Sequence, residues 1–255
     1  TRNNSSQNPV HLTWLTHVFP TFLGLNQMKQ DLVLVKILDP VAEEVFGDLY
    51  YELHTEKNEV YVITHISGKT GRIKMGFNAE KLKQFSGNVD EFKKTFLEKI
   101  LAYEKTRRTI DLHLDHMKEK ENIPVNSPLS KEKTQQLHKT IPHELMVLEK
   151  KQREEMDSFC GYLNLNMGDV IHVPTHIPHA LQHGVRVVEF QTPTYERYIV
   201  SFAQKVLTQS HWDTHKAFAI MQNILPEKTK LKKISATEKE LVEEVCSFVD
   251  FFAER

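Results

Sequence analysis

The chain has 255 residues, of which 40% are hydrophobic and 26% charged, with a formal net charge of −1. That length suits one large domain or two small ones with a sizeable core. The even charge balance gives no global field for nucleic acid or an anionic membrane, and no basic patch with interleaved aromatics stands out. Cys160 and Cys246 are the only thiols, too few for a disulfide framework, which points to a reducing, cytoplasmic setting. No basic-then-apolar leader opens the chain, and no apolar run approaches about 20 residues. It begins at Thr1 rather than Met, as a processed or trimmed chain does. Its 14 histidines are the one unusual count.

In chain order, "TRNNSSQNP" reads as flexible, and "LTWLTHVFPTFLGL" is apolar enough to pack as a cover, together spanning 1–30. "DLVLVKIL" reads as a buried strand, and "GDLYYELH", "EVYVITHI" and "RIKMGF" as further strands. The stretch "NVDEFKKTFLEKILAYEK" places Phe92, Phe96, Leu97, Ile100 and Tyr103 at helical spacing. "TIDLHLDHMKEKEN", "SKEKTQQLHK" and "HELMVLEKKQREEMDSF" also read as helices, with breaks near Pro124 and Pro128. A helical block therefore fills 79–158. Strand texture returns in "YLNLNMGDVIHVP", "VRVVEFQTP" and "RYIVSFAQKV". "HWDTHKAFAIMQNIL" and "ATEKELVEEVCSFVDFFAER" read as closing helices, the second opened by Thr237 as N-cap. Trp212 and Phe252 read as core. The expected architecture is α+β: a mainly antiparallel β unit, barrel or sandwich, split between 31–78 and 159–210, a helical insertion at 79–158 and C-terminal helices in 211–255.

Two motifs carry the chemistry. In "ELHTEKNE", taken as the tip of a hairpin over Thr55–Asn58, strand alternation puts Glu52 and His54 on one face, with Glu59 across from His54. Facing Cβ atoms lie about 4.5–5.5 Å apart, so one ion could bridge imidazole and carboxylate. The plainer reading is a charged hairpin tip. In "GDVIHVPTHIPHAL", a strand ended by Pro174 leads to His179, which Pro178 places rigidly. His172 alternates with apolar neighbours and reads as structural.

Together the motifs resemble those of the cupin superfamily, whose first motif is H-x-H, three or four residues, Glu, and whose second is Gly, five residues, Pro, then His. Glu52 stands for the first histidine, and His176 for the usual second glycine. The nearer likeness is to type I phosphomannose isomerases. "LVLVKILDPVAEEVFGDLYYELH" resembles their strand pair ending in residue-x-His. Lys57 and Glu59 fall on their Lys and liganding Glu, "GDVIHVPTHIPHALQHGVRVVEFQT" is similar to their last-histidine segment, and Arg197 matches a substrate-reaching arginine. The likeness covers roughly 31–77 and 160–205. The family often has Gln where Glu52 stands, and its Leu-Thr-Pro-Lys after the arginine is replaced by "YIVSFAQK".

The resemblance implies a jelly-roll barrel holding a divalent metal through His54, Glu59 and His179, with Glu52 a fourth ligand or a residue orienting one. It favours zinc, although the donor set also suits manganese, iron, cobalt or nickel. It implies aldose–ketose isomerisation of a sugar or sugar phosphate such as mannose 6-phosphate. Arg197 would clamp a phosphate or developing oxyanion. Lys57 would be a cation near substrate oxygens or a proton carrier, against a solvated tip lysine. Glu189 would be a general base or an orienting carboxylate, against a buried ion pair. The alternatives are a non-catalytic sugar-binding or regulatory cupin and another metal cupin such as an iron-dependent oxygenase.

Overall fold

The computed structural model describes residues 33–41, 48–236 and 241–245. The cover segment, Thr237, Cys246 and Phe252 lie outside them. The strands are β1 (Leu34–Leu38), β2 (Tyr51–Leu53), β3 (Glu59–Ile66), β4 (Gly71–Phe77), β5 (Cys160–Leu165), β6 (Val170–Val173), β7 (His179–Leu181), β8 (Val185–Gln191), β9 (Tyr198–Ser201), β10 (Lys232–Ala236) and β11 (Leu241–Glu244). The helices are α1 (Ala79–Lys83), α2 (Val89–Lys120), α3 (Lys131–His138), α4 (His143–Asp157) and α5 (Thr214–Ile220). Two main sheets form, one ordered β1-β8-β3-β6 and the other β5-β4-β7-β2-β9, with β10 and β11 as a separate pair. Every pairing is antiparallel. The molecule is thus a mixed helical and antiparallel-sheet protein.

Side chains divide cleanly by strand parity. Tyr61, Ile63, Ile171, Val173, Val185 and Val187 from the four-stranded sheet meet Ile73, Leu165 and Leu181 from the five-stranded one in an apolar cluster between the sheets. On the other side of the five-stranded sheet, Tyr51, Leu53, Phe77 and Ala180 pack with Phe92, Phe96, Ile100 and Tyr103 of α2, Met156 of α4 and Phe218 of α5. One irregularity decides a side. Ile73 and Phe77 share parity yet face opposite clusters, because the β4–β5 register shifts between Lys74 and Phe77. Gly76 turns that shift at φ 63°, and a Cβ there would lie 2.4 Å from the Ile224 carbonyl oxygen.

Helix α2 merges two stretches that read as separate. No Gly or Pro interrupts 89–120, Asn88 caps the start through Glu91 N–H, and Lys118 and Lys120 sit in the last turn. Its buried stripe continues from Phe92 to Asp111. Three expectations are corrected. "DLVLVKIL" is no buried strand: β1 is an edge, with Val35 60% and Ile37 72% exposed. β2 and β3 form no hairpin, since β2 pairs with β7 and β9 while β3 pairs with β6 and β8. The last predicted helix is overturned where it is described: Leu241–Glu244 is a strand against Lys232–Ala236. There the ladder bonds offered by 232–236 outweighed the helical propensity of a Glu-rich run. Among the described residues no helix is long and apolar enough to cross a membrane.

Phe96 is fully buried and stacks on Phe159 at 5.1 Å with planes 5° apart. Phe96→Ala is expected to cost about 3–5 kcal/mol, read as a lowered urea midpoint with an unchanged slope.

Candidate metal centre

The parity that sends Tyr51 and Leu53 toward the helices sends Glu52 and His54 into the space between the sheets. Glu59 and Tyr61 enter the same space from β3, and His179 from β7, where it stands in register with Glu52. "ELHTEKNE" therefore crosses from one sheet to the other. The turn does bring His54 near Glu59, but by passing between sheets rather than by pairing within one. Glu52, His54 and His179 each offer a ligand atom within 4.8 Å of the others. Glu59 faces both imidazoles, with Oε1 3.5 Å from His54 Nε2 and Oε2 3.2 Å from His179 Nε2. Glu52 Oε1 is 3.7 Å from His54 Nε2. Two ligands about 2.1 Å from one tetrahedral ion lie roughly 3.4 Å apart, so these spacings fit a common ion.

The tautomers follow from the partners. His54 Nδ1 lies 2.7 Å from the Glu196 carbonyl and His179 Nδ1 3.0 Å from that of Ile177. A carbonyl only accepts, so both Nδ1 atoms carry the hydrogen and both Nε2 atoms point into the cluster. Burial, and then the charge of His179, push His54 down to about 3, so its ring is neutral. Its Nε2 lone pair is buried without a hydrogen-bond partner, as is Glu52 Oε2. A buried lone pair facing two carboxylates with no donor between them is unfavourable. A cation there removes the conflict, so these residues fit a metal ion.

Burial works against charge at His179, yet the hydrogen bond and charge of Glu59 raise its pKa above the usual imidazole value. Burial likewise opposes the Glu59 carboxylate, and the hydrogen bond and charge of His179, then the charge of Lys57, bring it well below the usual range. Glu52 is raised, by burial first, against the cations of His179 and Lys57.

The remaining sequence candidates divide. Lys57 is no solvated tip: it is buried and its Nζ lies 2.6 Å from Glu59 Oε1. Arg197 lies over the Tyr50 ring at 4.7 Å and donates to Thr208 Oγ1 at 2.6 Å, near enough to Glu52 for their charges to interact. Glu189 is buried on the same inner face but bonded to Lys36 at 2.9 Å, the ion-pair alternative. His172, between the inward-facing Ile171 and Val173 of β6, stands on the opposite face of the sheet, its backbone N–H held by Thr229 Oγ1.

Two residues escaped the sequence reading. Tyr61 donates to Glu59 Oε2 at 2.9 Å. Glu196 supplies the carbonyl that fixes His54, while its carboxylate accepts from Thr55 N–H at 2.8 Å, Thr55 Oγ1 at 2.7 Å and Glu56 N–H at 3.1 Å. Its position next to Arg197 was the available signal. His176 takes φ 63° where the resemblance has glycine, held by its N–H to the His54 carbonyl at 2.6 Å.

Glu196→Ala leaves the Thr55 and Glu56 donors to water. It is expected to cost about 1 kcal/mol of stability and to speed amide exchange at these two residues. Despite its burial, the hydrogen bonds of Thr55 and Glu56 lower the folded pKa of Glu196. The wild-type advantage is therefore full above the ordinary carboxylate pKa and vanishes as the pH falls through the lowered one.

A mixed helical and antiparallel-sheet protein with a His/Glu cluster between its sheets is the class these features define. No protein-family model matches the chain, and no curated protein matches it in sequence. Solved structures match in fold. Mannose 6-phosphate isomerase from Bacillus subtilis aligns with a TM-score of 0.53 at 12% identity, over 96% of this chain and 61% of its own. A zinc-bound mannose 6-phosphate isomerase gives 0.49 at 12% identity, over 94% and 67%. A mutant phosphomannose isomerase from Salmonella typhimurium gives 0.49 at 11% identity, over 84% and 60%. This chain spans about three fifths of the length of the Bacillus structure, and the likeness is one of fold.

Proposed function

We propose that the chain is a cupin-type, metal-dependent aldose–ketose isomerase of a sugar or sugar phosphate, in the manner of mannose-6-phosphate isomerase. The observation that carries the reading is the convergence of Glu52, His54, Glu59 and His179 from two sheets, with both imidazoles oriented by backbone carbonyls. The fold shared with the Bacillus enzyme supports it. So do the two facing antiparallel sheets, the layout of a jelly-roll barrel.

His54, His179, Glu59 and Glu52 would hold the ion. Two imidazoles with carboxylates suit zinc, the choice made here, and other first-row divalent ions. Such an ion supplies a Lewis acid for sugar hydroxyl and carbonyl oxygens. Isomerisation moves one proton between C1 and C2 through an enediol, so a base must take it and an acid return it. Lys57, beside Glu59, and Glu189, beside Lys36, are the candidate proton carriers. Arg197, held by Tyr50 and Thr208, would face the negative charge of a phosphate or of the enediolate. The engagement of both Lys57 and Glu189 also favours a second reading, a sugar-binding module without turnover.

Metal analysis of the purified protein followed by a coupled assay on mannose 6-phosphate, other phosphosugars and free sugars tests this. Roughly one divalent ion per chain and isomerase turnover that falls by at least about 100-fold in His54→Ala are expected. Sugar binding without turnover gives the non-catalytic reading; iron with oxygen uptake gives an oxygenase; an unchanged rate in His54→Ala ends the proposal. Zinc affinity is also expected to weaken as the solution turns acidic. His179 and Glu52 must both be deprotonated to bind, and both hold their protons to higher pH than usual. Calorimetric titration in buffers of different ionisation heat reads the protons released.

A further inference from the structure

We infer that Tyr61 is a positioning residue that fixes the Glu59 carboxylate for metal binding, an inference that rests on the metal-site reading above. Tyr61 follows Glu59 by two residues on β3 and so shares its face. It is 4% exposed, and its hydroxyl donates to Glu59 Oε2 at 2.9 Å. Directly across the ladder stands Glu189, a second buried carboxylate, and the hydroxyl is given to Glu59. The ring also meets His179 edge-on, with centroids 6.4 Å apart and planes at 65°. One side chain thus contacts both a carboxylate and an imidazole of the cluster.

The Glu59 carboxylate is gripped at both ends, Oε2 by Tyr61 and His179, and Oε1 by Lys57. Each oxygen has two lone-pair directions, so Oε1 keeps one open beside Lys57, and Oε2 regains one where the His179 Nε2 lone pair is given to an ion instead. The terminal torsion of a glutamate is soft. With no neutral donor on Oε2, the carboxylate is free to turn toward Lys57 and carry the open lone pair away from the imidazoles. Lys57 alone fixes one oxygen without setting the plane. The hydroxyl therefore trades little for stability and much for ligand geometry.

Tyr61→Phe removes one atom and keeps the ring. Zinc affinity, measured by competition against a chromophoric chelator, is expected to fall about 10- to 100-fold. The metal-free variant should melt close to wild type, and the visible spectrum of the cobalt(II)-loaded protein should change with the altered ligand field. Affinity within twofold of wild type overturns the inference, whatever the melting temperature, and so does an unchanged cobalt spectrum. A wild type that binds zinc no better than His54→Ala overturns the metal site and this inference together. Tight wild-type binding equalled by Tyr61→Phe overturns the role of Tyr61 alone.

Discussion

The constraint on which the site depends is strand parity. A three-residue strand, β2, gives Tyr51 and Leu53 to the helical core, and this commits Glu52, with His54 just beyond the strand's end, to the space between the sheets. The same rule on β3 and β7 sends Glu59, Tyr61 and His179 there. A slip of one residue in β2 would bury its carboxylate against phenylalanines and take Glu52 and His54 out of the cluster. The α2 helix matters to the chemistry for this reason. Its Phe92, Phe96 and Ile100 stripe, with Tyr51, Leu53 and Phe77, forms the apolar face that holds β2 in its phase.

Much of this was legible in the residues. The helical block, most strands and the candidate ligands follow from apolar spacing and from two short motifs. What failed did so for tertiary reasons. The hairpin reading of "ELHTEKNE" assumed that strands adjacent in sequence pair with one another, whereas β2 takes β7 and β9 as partners from more than a hundred residues away. The inference that His54 and Glu59 approach each other survived the wrong topology, because a turn short enough for a hairpin is also short enough to bridge two facing sheets. "DLVLVKIL" was placed inside on composition alone, and composition does not say which strand ends a sheet. The strand at 241–244 came from pairing with 232–236, which a local helical pattern cannot foresee. Tyr61 and Glu196 went unnoticed because neither lies in a ligand spacing. Each acts through a partner that only the fold supplies.

Charge balance ties the inner face together. Glu52, Glu59 and Glu189 stand against Lys57, Lys36 and His179. Buried charges persist only when paired in this way. Lys36 reaches in from the edge strand, and its bonds to Glu189 and Gln191 neutralise the end of the face that has no histidine.

On the proposed reading, a divalent ion would add positive charge among Glu52, His54, Glu59 and His179. Arg197, over Tyr50 and bonded to Thr208, adds to it. A pocket of that sign holds an anion or a charge that develops late in a reaction better than it holds a neutral ground state. Enediolate formation develops such a charge beside the ion, whereas a phosphate brings one from the start and at a distance set by the sugar. The same electrostatics thus serves both candidate substrate classes. What separates them is the reach of Arg197, whose guanidinium carbon is held 4.7 Å from the centre of a Tyr50 ring that itself packs on Phe202 at 4.2 Å.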